Sequence, residues 1–285
     1  SIVSIDFSST VSSITKIENN LNNVESNLKL WLDASNIDAA NNETLSDGDA
    51  IGEWKDLSSN GHNGSQDVEN QKPIYSIASG GQIYFEGDHF NITPFPVDDG
   101  FTVAEIFVVN KTSATSNGHF HYWGGETQNG HYPYSNGYIY ETFGISSRYH
   151  FLPTQSLDDY FIYNLTAEQN THSARINGEL NKVQTYKGVA WGQSNVIGKS
   201  RLGGFVGHIQ EILFFNKVLS DDERTKVNYY LSTKWGLESS VDSDGDGTLD
   251  ELDMFPMDAT EFEDTDSDGT GNNADTDDDN DGSVS

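Results

Sequence analysis

The 285-residue chain carries 45 Asp and Glu against 15 Lys and Arg, a formal charge of −30, and no Cys. Such a surface repels polyanions, which excludes nucleic-acid phosphate and anionic membrane as main partners. Without Cys there is no disulfide, thiolate metal site or Cys nucleophile. The charge is uneven: 17 of the acids and none of the bases lie in residues 240–285, so the two parts of the chain do different jobs.

The chain reads as three segments: 1–28, 29–238 and 239–285. In the first, Ile2, Val3, Ile5 and Phe7 partly alternate, which predicts a strand over Ser1–Ser9. Ile14, Ile17, Leu21, Val24 and Leu28 then recur at helical spacing and predict a helix from about Val11 to Lys29. That helix either packs on the body of its own domain or serves as a connector to another molecule. Asn19, Asn20, Asn22 and Asn23, poor helix formers, favour a solvated face.

Residues 29–216 alternate short apolar runs with Gly, Asn, Asp and Ser clusters, the pattern of strands and turns. Strands are predicted at Gln82–Phe85, Phe101–Asn110, Gly137–Phe143, Tyr160–Leu165, His172–Ile176 and Phe205–Phe215. Phe101–Val109 is almost wholly apolar and should be a central strand covered on both faces. Asn-Gly pairs at Asn60, Asn63, Asn117, Asn129, Asn136 and Asn177 mark turns. Many short strands with such turns mean an all-β sandwich or barrel. One helix closes the segment: Ser220 and Glu223 form a capping box, Val227, Leu231 and Trp235 line one face, and Gly236 stops it. It is expected on the surface of the sandwich.

The last segment is nearly devoid of apolar residues and cannot bury a core of its own. Its acids are nevertheless ordered. Asp242, Asp244, Asp246, Asp250 and Asp253 fall at positions 1, 3, 5, 9 and 12 of a loop, with Gly247 at position 6 and the Thr248 carbonyl at 7. Asp264, Asp266, Asp268, Asn272 and Asp275 repeat the pattern, with Gly269 at 6 and Thr270 at 7. Asp277, Asp279, Asp281 and Gly282 begin a third copy. This spacing curls oxygens around one centre and suits a hard cation that takes six to eight oxygen ligands, Ca²⁺ before Mg²⁺.

These loops resemble thrombospondin type 3 repeats of bacterial surface proteins. Met254-Phe255-Pro256-Met257-Asp258 is similar to their linker. An EF-hand fits less well, since position 12 is Asp and no amphipathic helices flank the loops. The body resembles concanavalin A-like, laminin-G-type modules of bacterial exoproteins. The resemblance rests on Leu30-Trp31-Leu32-Asp33-Ala34-Ser35, Trp54-Lys55-Asp56-Leu57-Ser58, Phe85-Glu86-Gly87-Asp88, Glu211-Ile212-Leu213-Phe214-Phe215 and Leu219–Gly236. It implies a two-sheet antiparallel jelly roll with a ligand at the concave face or rim, and an extracellular or cell-surface location.

Hydrolases on that fold carry two acids on one strand as E-x-D-x-x-E. No such run occurs: Glu141 lacks a partner two residues on, and Glu211 stands in an apolar strand. There is also no G-x-S-x-G elbow. Non-catalytic binding is therefore expected. Trp123, His121, His131 and Tyr134 are the candidate ligand-binding residues, in stretches where aromatics and amides concentrate and where core packing is the competing explanation. Asp33, Asp56 and Asp88 are read as turn and cap residues before they are read as calcium ligands. Three functions remain open: a lectin-like adhesion module for a glycan or surface protein, a self-associating filament or surface-layer subunit joined through residues 1–28, and an accessory carbohydrate-binding module of a glycanase.

Overall fold

The computed structural model describes residues 25–93, 100–115, 117–121, 123, 130–192, 195–201 and 203–282. The strand expected at Ser1–Ser9 and most of the helix expected after it lie outside these residues. The chain divides into two compact units. One is Asn27–Val218; the other comprises Ser1–Ser26 and Leu219–Ser285.

The first unit begins with β1 (Leu28–Asp33), which corrects the end of the expected helix. Leu28, Leu30 and Leu32 are buried and alternate with half-buried Lys29 and Trp31. A period of two puts three leucines on one face, and this outweighs the helical spacing that reaches Leu28. β5 (Gln82–Glu86), β7 (Ala104–Thr112), β10 (Phe161–Ala167), β11 (Thr171–Ile176) and β14 (Val206–Phe215) match the predicted strands to within a few residues. Short strands β2 (Glu53–Trp54), β3 (Gly64–Ser65), β4 (Ile74–Ser76), β6 (Phe90–Ile92), β9 (Tyr149–Phe151) and β13 (Val196–Ile197) were not predicted. They are too short to show a period. β8 shrinks to Ile139–Glu141. The exposed β12 (Glu179–Thr185) alternates too weakly to be read.

The main sheet runs β12-β11-β10-β7-β14-β5-β4, and β1 pairs with the second half of β14. All its pairings are antiparallel. β7 lies between β10 and β14, and all but Lys111 of its residues are buried, as its apolar run predicts. A second set of strands is assembled from pieces. β13-β6-β3-β2 form one sheet and β8-β9 another. Single bridges join them in sequence: Ile197 to His121, Gly118 to His131, and His131 to Tyr140 of β8.

One apolar cluster is shared by the two layers. Leu30, Leu32, Ile83, Phe85, Ile106, Val108, Leu165 and Phe214 of the main sheet pack in it with Trp54, Phe90, Ile92, Ile139, Tyr149 and Ile197 of the second. The unit is therefore a β-sandwich. Asp33 and Asp56 serve its turns. Asp33 caps the short helical turn after β1, and Asp56 accepts the N–H groups of Trp31, Ser58 and His62. Asp88 accepts the Glu86 N–H.

In the second unit, α1 spans Asp221–Trp235 with the predicted capping box and with Gly236 in the left-handed conformation at φ 67°. Val227, Tyr230 and Leu231 are buried. No helix among the described residues is long and apolar enough to cross a membrane.

Candidate functional site

Three arrangements carry chemistry: an aromatic outer face, a buried carboxylate beneath it, and the acidic loops.

The aromatic face follows from strand alternation. His131 bridges Tyr140, which pairs with His150 of β9. These three rings thus lie in a row across neighbouring strands, while the flanking Tyr132, Glu141 and Tyr149 point inwards and are buried. Tyr134 extends the row, 4.6 Å from His131 and 5.6 Å from Tyr140 between ring centroids. Tyr138 lies 5.5 Å from His150. Tyr140 stacks on His150 at 5.4 Å, and Arg148 lies 4.6 Å over the Tyr140 ring. The Tyr140 face is thus occupied. The row offers ring edges, hydroxyls, the Asn136 amide bound to Tyr140 Oη at 3.1 Å, and the open ring of Tyr134, 39% exposed.

Two of the four predicted ligand-binding residues, His131 and Tyr134, therefore belong to this face. The other two do not. His121 and Trp123 have no exposed surface. They stack on each other with ring planes 15° apart, and Trp123 meets Phe214 of the main sheet at 5.7 Å. A ring closed on both sides cannot receive a sugar, so their aromatic character serves the core. Tyr138, Tyr140 and His150 were missed. Tyr138 and Tyr140 alternate within the predicted strand Gly137–Phe143, but nothing local tells which face of it is exposed or brings His150 beside it.

Beneath the face, Glu141 is fully buried and ringed by donors. His121 Nε2 lies 3.1 Å from Oε1, which also accepts the N–H groups of Thr142 and Phe143 at 2.7 Å each. His119 Nε2 lies 2.9 Å from Oε2, which also accepts the Tyr163 hydroxyl at 2.8 Å. Burial alone would raise the Glu141 pKa, but His119 and His121 outweigh it and hold the carboxyl well below its usual range. Burial raises the Tyr163 hydroxyl far above its own, so it stays a donor. The sequence shows His119-x-His121 but not its partner, 20 residues on in another strand.

The loops repeat one geometry. In each, the N–H of the position-6 Gly donates to the position-1 Asp: Gly247 to Asp242 and Gly269 to Asp264 at 3.0 Å, Gly282 to Asp277 at 3.1 Å. Those glycines have φ of 102°, 94° and 87°, closed to most side chains. The position-5 N–H donates to the position-3 carboxylate in all three. Asp242, Asp244 and Asp246 thereby bring one carboxylate oxygen each within 4.8 Å of one another, as do Asp264, Asp266 and Asp268, and Asp277, Asp279 and Asp281.

Position 9 does something else. Asp250 takes the Ser243 N–H and hydroxyl, both at 2.8 Å, while Asn272 accepts the Thr265 N–H at 2.9 Å and donates its amide to the Thr265 hydroxyl at 2.8 Å. These two residues, expected as ligands, are turned to loop closure. Asp253 at position 12 feels the others: burial first, then the charges of Asp246 and Asp242, raise its pKa. Asp275 is near enough to add its charge to Asp266. Thr248 and Thr270 donate their N–H to the position-5 Asp, at 2.6 and 2.7 Å. Asp244 Oδ2 and Asp264 Oδ1 are buried and accept no hydrogen bond. Burial, then the charges of Asp246, Asp253 and Asp242, push Asp244 up to about 6.

The fold places this chain among the β-sandwich proteins. No family model and no curated protein matches it. Among solved structures it is similar to a Trypanosoma rangeli sialidase, at 12% identity and a TM-score of 0.50 over 79% of this chain. It is also similar to the botulinum neurotoxin serotype D binding domain, at 15% identity and a TM-score of 0.49 over 73% of this chain. It spans only 39% of the sialidase chain and 53% of the toxin domain.

Proposed function

We propose that the chain is a non-catalytic, calcium-dependent binding module of the extracellular space. Its sandwich resembles a concanavalin A-like, laminin-G-type jelly roll and presents the His131–Tyr140–His150 face to a glycan or another surface ligand. Its tail holds Ca²⁺ in loops that resemble thrombospondin type 3 repeats. The observation that carries the reading is the set of three aspartate triplets with the buried oxygens of Asp244 and Asp264 left without a donor. A buried carboxylate oxygen without a partner is costly, and a hard cation satisfies it. Asp242, Asp244, Asp246 and Asp253 would hold the first ion, and Asp264, Asp266, Asp268 and Asp275 the second. Calcium loops of extracellular modules have dissociation constants of about 10⁻⁴–10⁻³ M, and these loops are assigned to that range.

Absence of catalysis in the sandwich is supported by how three of its buried acids are used. Glu141 is saturated with donors, Glu211 accepts from Trp31 Nε1 at 2.7 Å, and Glu105 accepts from Asn164 at 2.9 Å. None of these three is left to meet a substrate.

Calorimetric titration with Ca²⁺, followed by a glycan array in Ca²⁺, tests the proposal. Uptake of at least two ions and array hits abolished by Tyr134→Ala support it. No uptake at millimolar Ca²⁺ removes the tail's role. An empty array together with Ca²⁺-dependent polymers would instead indicate the filament subunit.

A further inference from the structure

His119, His121 and Glu141 have the donor types of a metal site, and their ligand atoms lie within 4.8 Å of one another. The outer nitrogens of the two rings argue otherwise. A histidine that binds metal through Nε2 carries its proton on Nδ1 and donates it to an acceptor. Here the Trp123 N–H points at His121 Nδ1 from 3.2 Å, which makes that nitrogen an acceptor and leaves the single ring proton on Nε2, facing Glu141. His119 Nδ1 has no partner. The Glu141 carboxylate is satisfied with protons alone.

The same contact makes His121 sensitive to a second proton, which could only sit on Nδ1, against the Trp123 N–H. Trp123 is held in turn by stacking on His121 and by the Gly144 N–H, which donates to its carbonyl at 3.0 Å. We propose that the cluster is a proton-operated latch: with one proton, His121 fixes residues 119–121 and Trp123 against residues 141–144, and a second proton releases them.

The titratable groups facing the cluster are His119 on the same segment, Glu141 on β8, Tyr163 on β10, Tyr149 on β9, Tyr132, His172 on β11, and His131 beside His119. Burial, and then His119, lower the His121 pKa to about 4, against the pull of Glu141. A lowered histidine contributes stability that is full above its unfolded pKa of 6.5 and is lost as the pH falls through about 4. The latch is therefore closed at neutral pH and opens in acid.

The experiment is nitrogen-15 NMR of the histidine rings from pH 7 to 3 on the full chain, with hydrogen exchange in parallel. The expected result is a proton on Nε2 alone at neutral pH. A second proton should arrive near pH 4 together with loss of exchange protection in 119–121 and 141–144. His121→Asn, whose amide oxygen can take the Trp123 N–H but cannot titrate, should lose that local step and keep the unfolding of β7, β10 and β14. A proton on Nδ1 at neutral pH, an unchanged acid step in the Asn variant, or a stoichiometric transition metal removed by chelation would each overturn the proposal. If the variant does not fold, the wild-type ring spectra and metal content still decide it.

Discussion

The protein confines carboxylates in two settings and resolves them in opposite ways. In the sandwich, one buried carboxylate meets five donors, and no further partner is needed. In the tail, three carboxylate oxygens crowd together in each loop, and two buried oxygens are left bare. Backbone N–H groups position the tail carboxylates without neutralising them. The difference is one of completeness: the first cluster is a finished piece of core, while the second is a cage whose charge calls for a cation.

The contrast is sharpest in response to Ca²⁺, where the largest effect is expected. Chelation should leave the sandwich unfolding unchanged and expand the tail, read as a larger radius in X-ray scattering and a lost low-temperature transition. At Ca²⁺ a hundred times the dissociation constant, the tail should gain about 2.7 kcal/mol per independent site. A tail with the same dimensions in chelator would break the comparison.

Next in size is the reverse experiment. Glu141→Ala strips the acceptor from two histidines, a tyrosine and two backbone N–H groups, and should cost about 3–5 kcal/mol in urea unfolding of the sandwich. Calcium uptake should not change. In the tail, Asp264→Asn should remove one bound ion, whereas Asp250→Ala should loosen the first loop by about 1–3 kcal/mol, since Asp250 closes the loop and leaves Ser243 unpaired when removed. Equal loss of an ion in both variants would show that position 9 ligates after all.

The two clusters should also answer pH with opposite signs. Glu141 has a lowered pKa, so its stabilisation is present above the unfolded value of 4.5 and fades as the pH falls below it. Asp244, raised to about 6 without a cation, favours the folded loop while protonated and opposes it as the pH rises from 3.8 through 6. Protons compete with Ca²⁺ for it, so calcium affinity should weaken below about pH 6 while the sandwich stays folded. A calcium titration at pH 7 and at pH 5 reads this directly.

How much of this was legible follows from how local each feature is. The loops could be read almost residue by residue, because position 1, the triplet and the glycine lie within six consecutive residues. Position 9 could not, since its partner at position 2 is chosen by the folded backbone. The long strands announced themselves: β7 and β14 carry enough consecutive apolar residues for a buried strand to show. The pieces of the second layer are two or three residues long and join through single bridges, so neither their order nor the placing of His131 and His150 on either side of Tyr140 has a local trace. His121 and Trp123 looked like a sugar platform because composition does not tell a buried ring from an exposed one. In the sequence Glu141 is a lone acid without a partner two residues on. What it does depends on His119, His121 and Tyr163, which arrive from three-dimensional neighbours.

The smallest predicted change in stability is at Tyr134, and it separates the face from the core beneath it. Its ring is 39% exposed and, among the described residues, its side chain makes no buried hydrogen bond, so Tyr134→Ala should change unfolding by no more than about 0.5 kcal/mol. Trp123→Ala, by contrast, opens a cavity beside Phe214 and His121 and should cost about 3–5 kcal/mol. If both variants lose ligand but only Trp123→Ala loses stability, ligand is held at the outer row, and the inner rings act by supporting the strands that carry it. Loss of ligand in Trp123→Ala alone, measured where that variant is still folded, would move the site inwards and overturn the division between a face that binds and a core that holds.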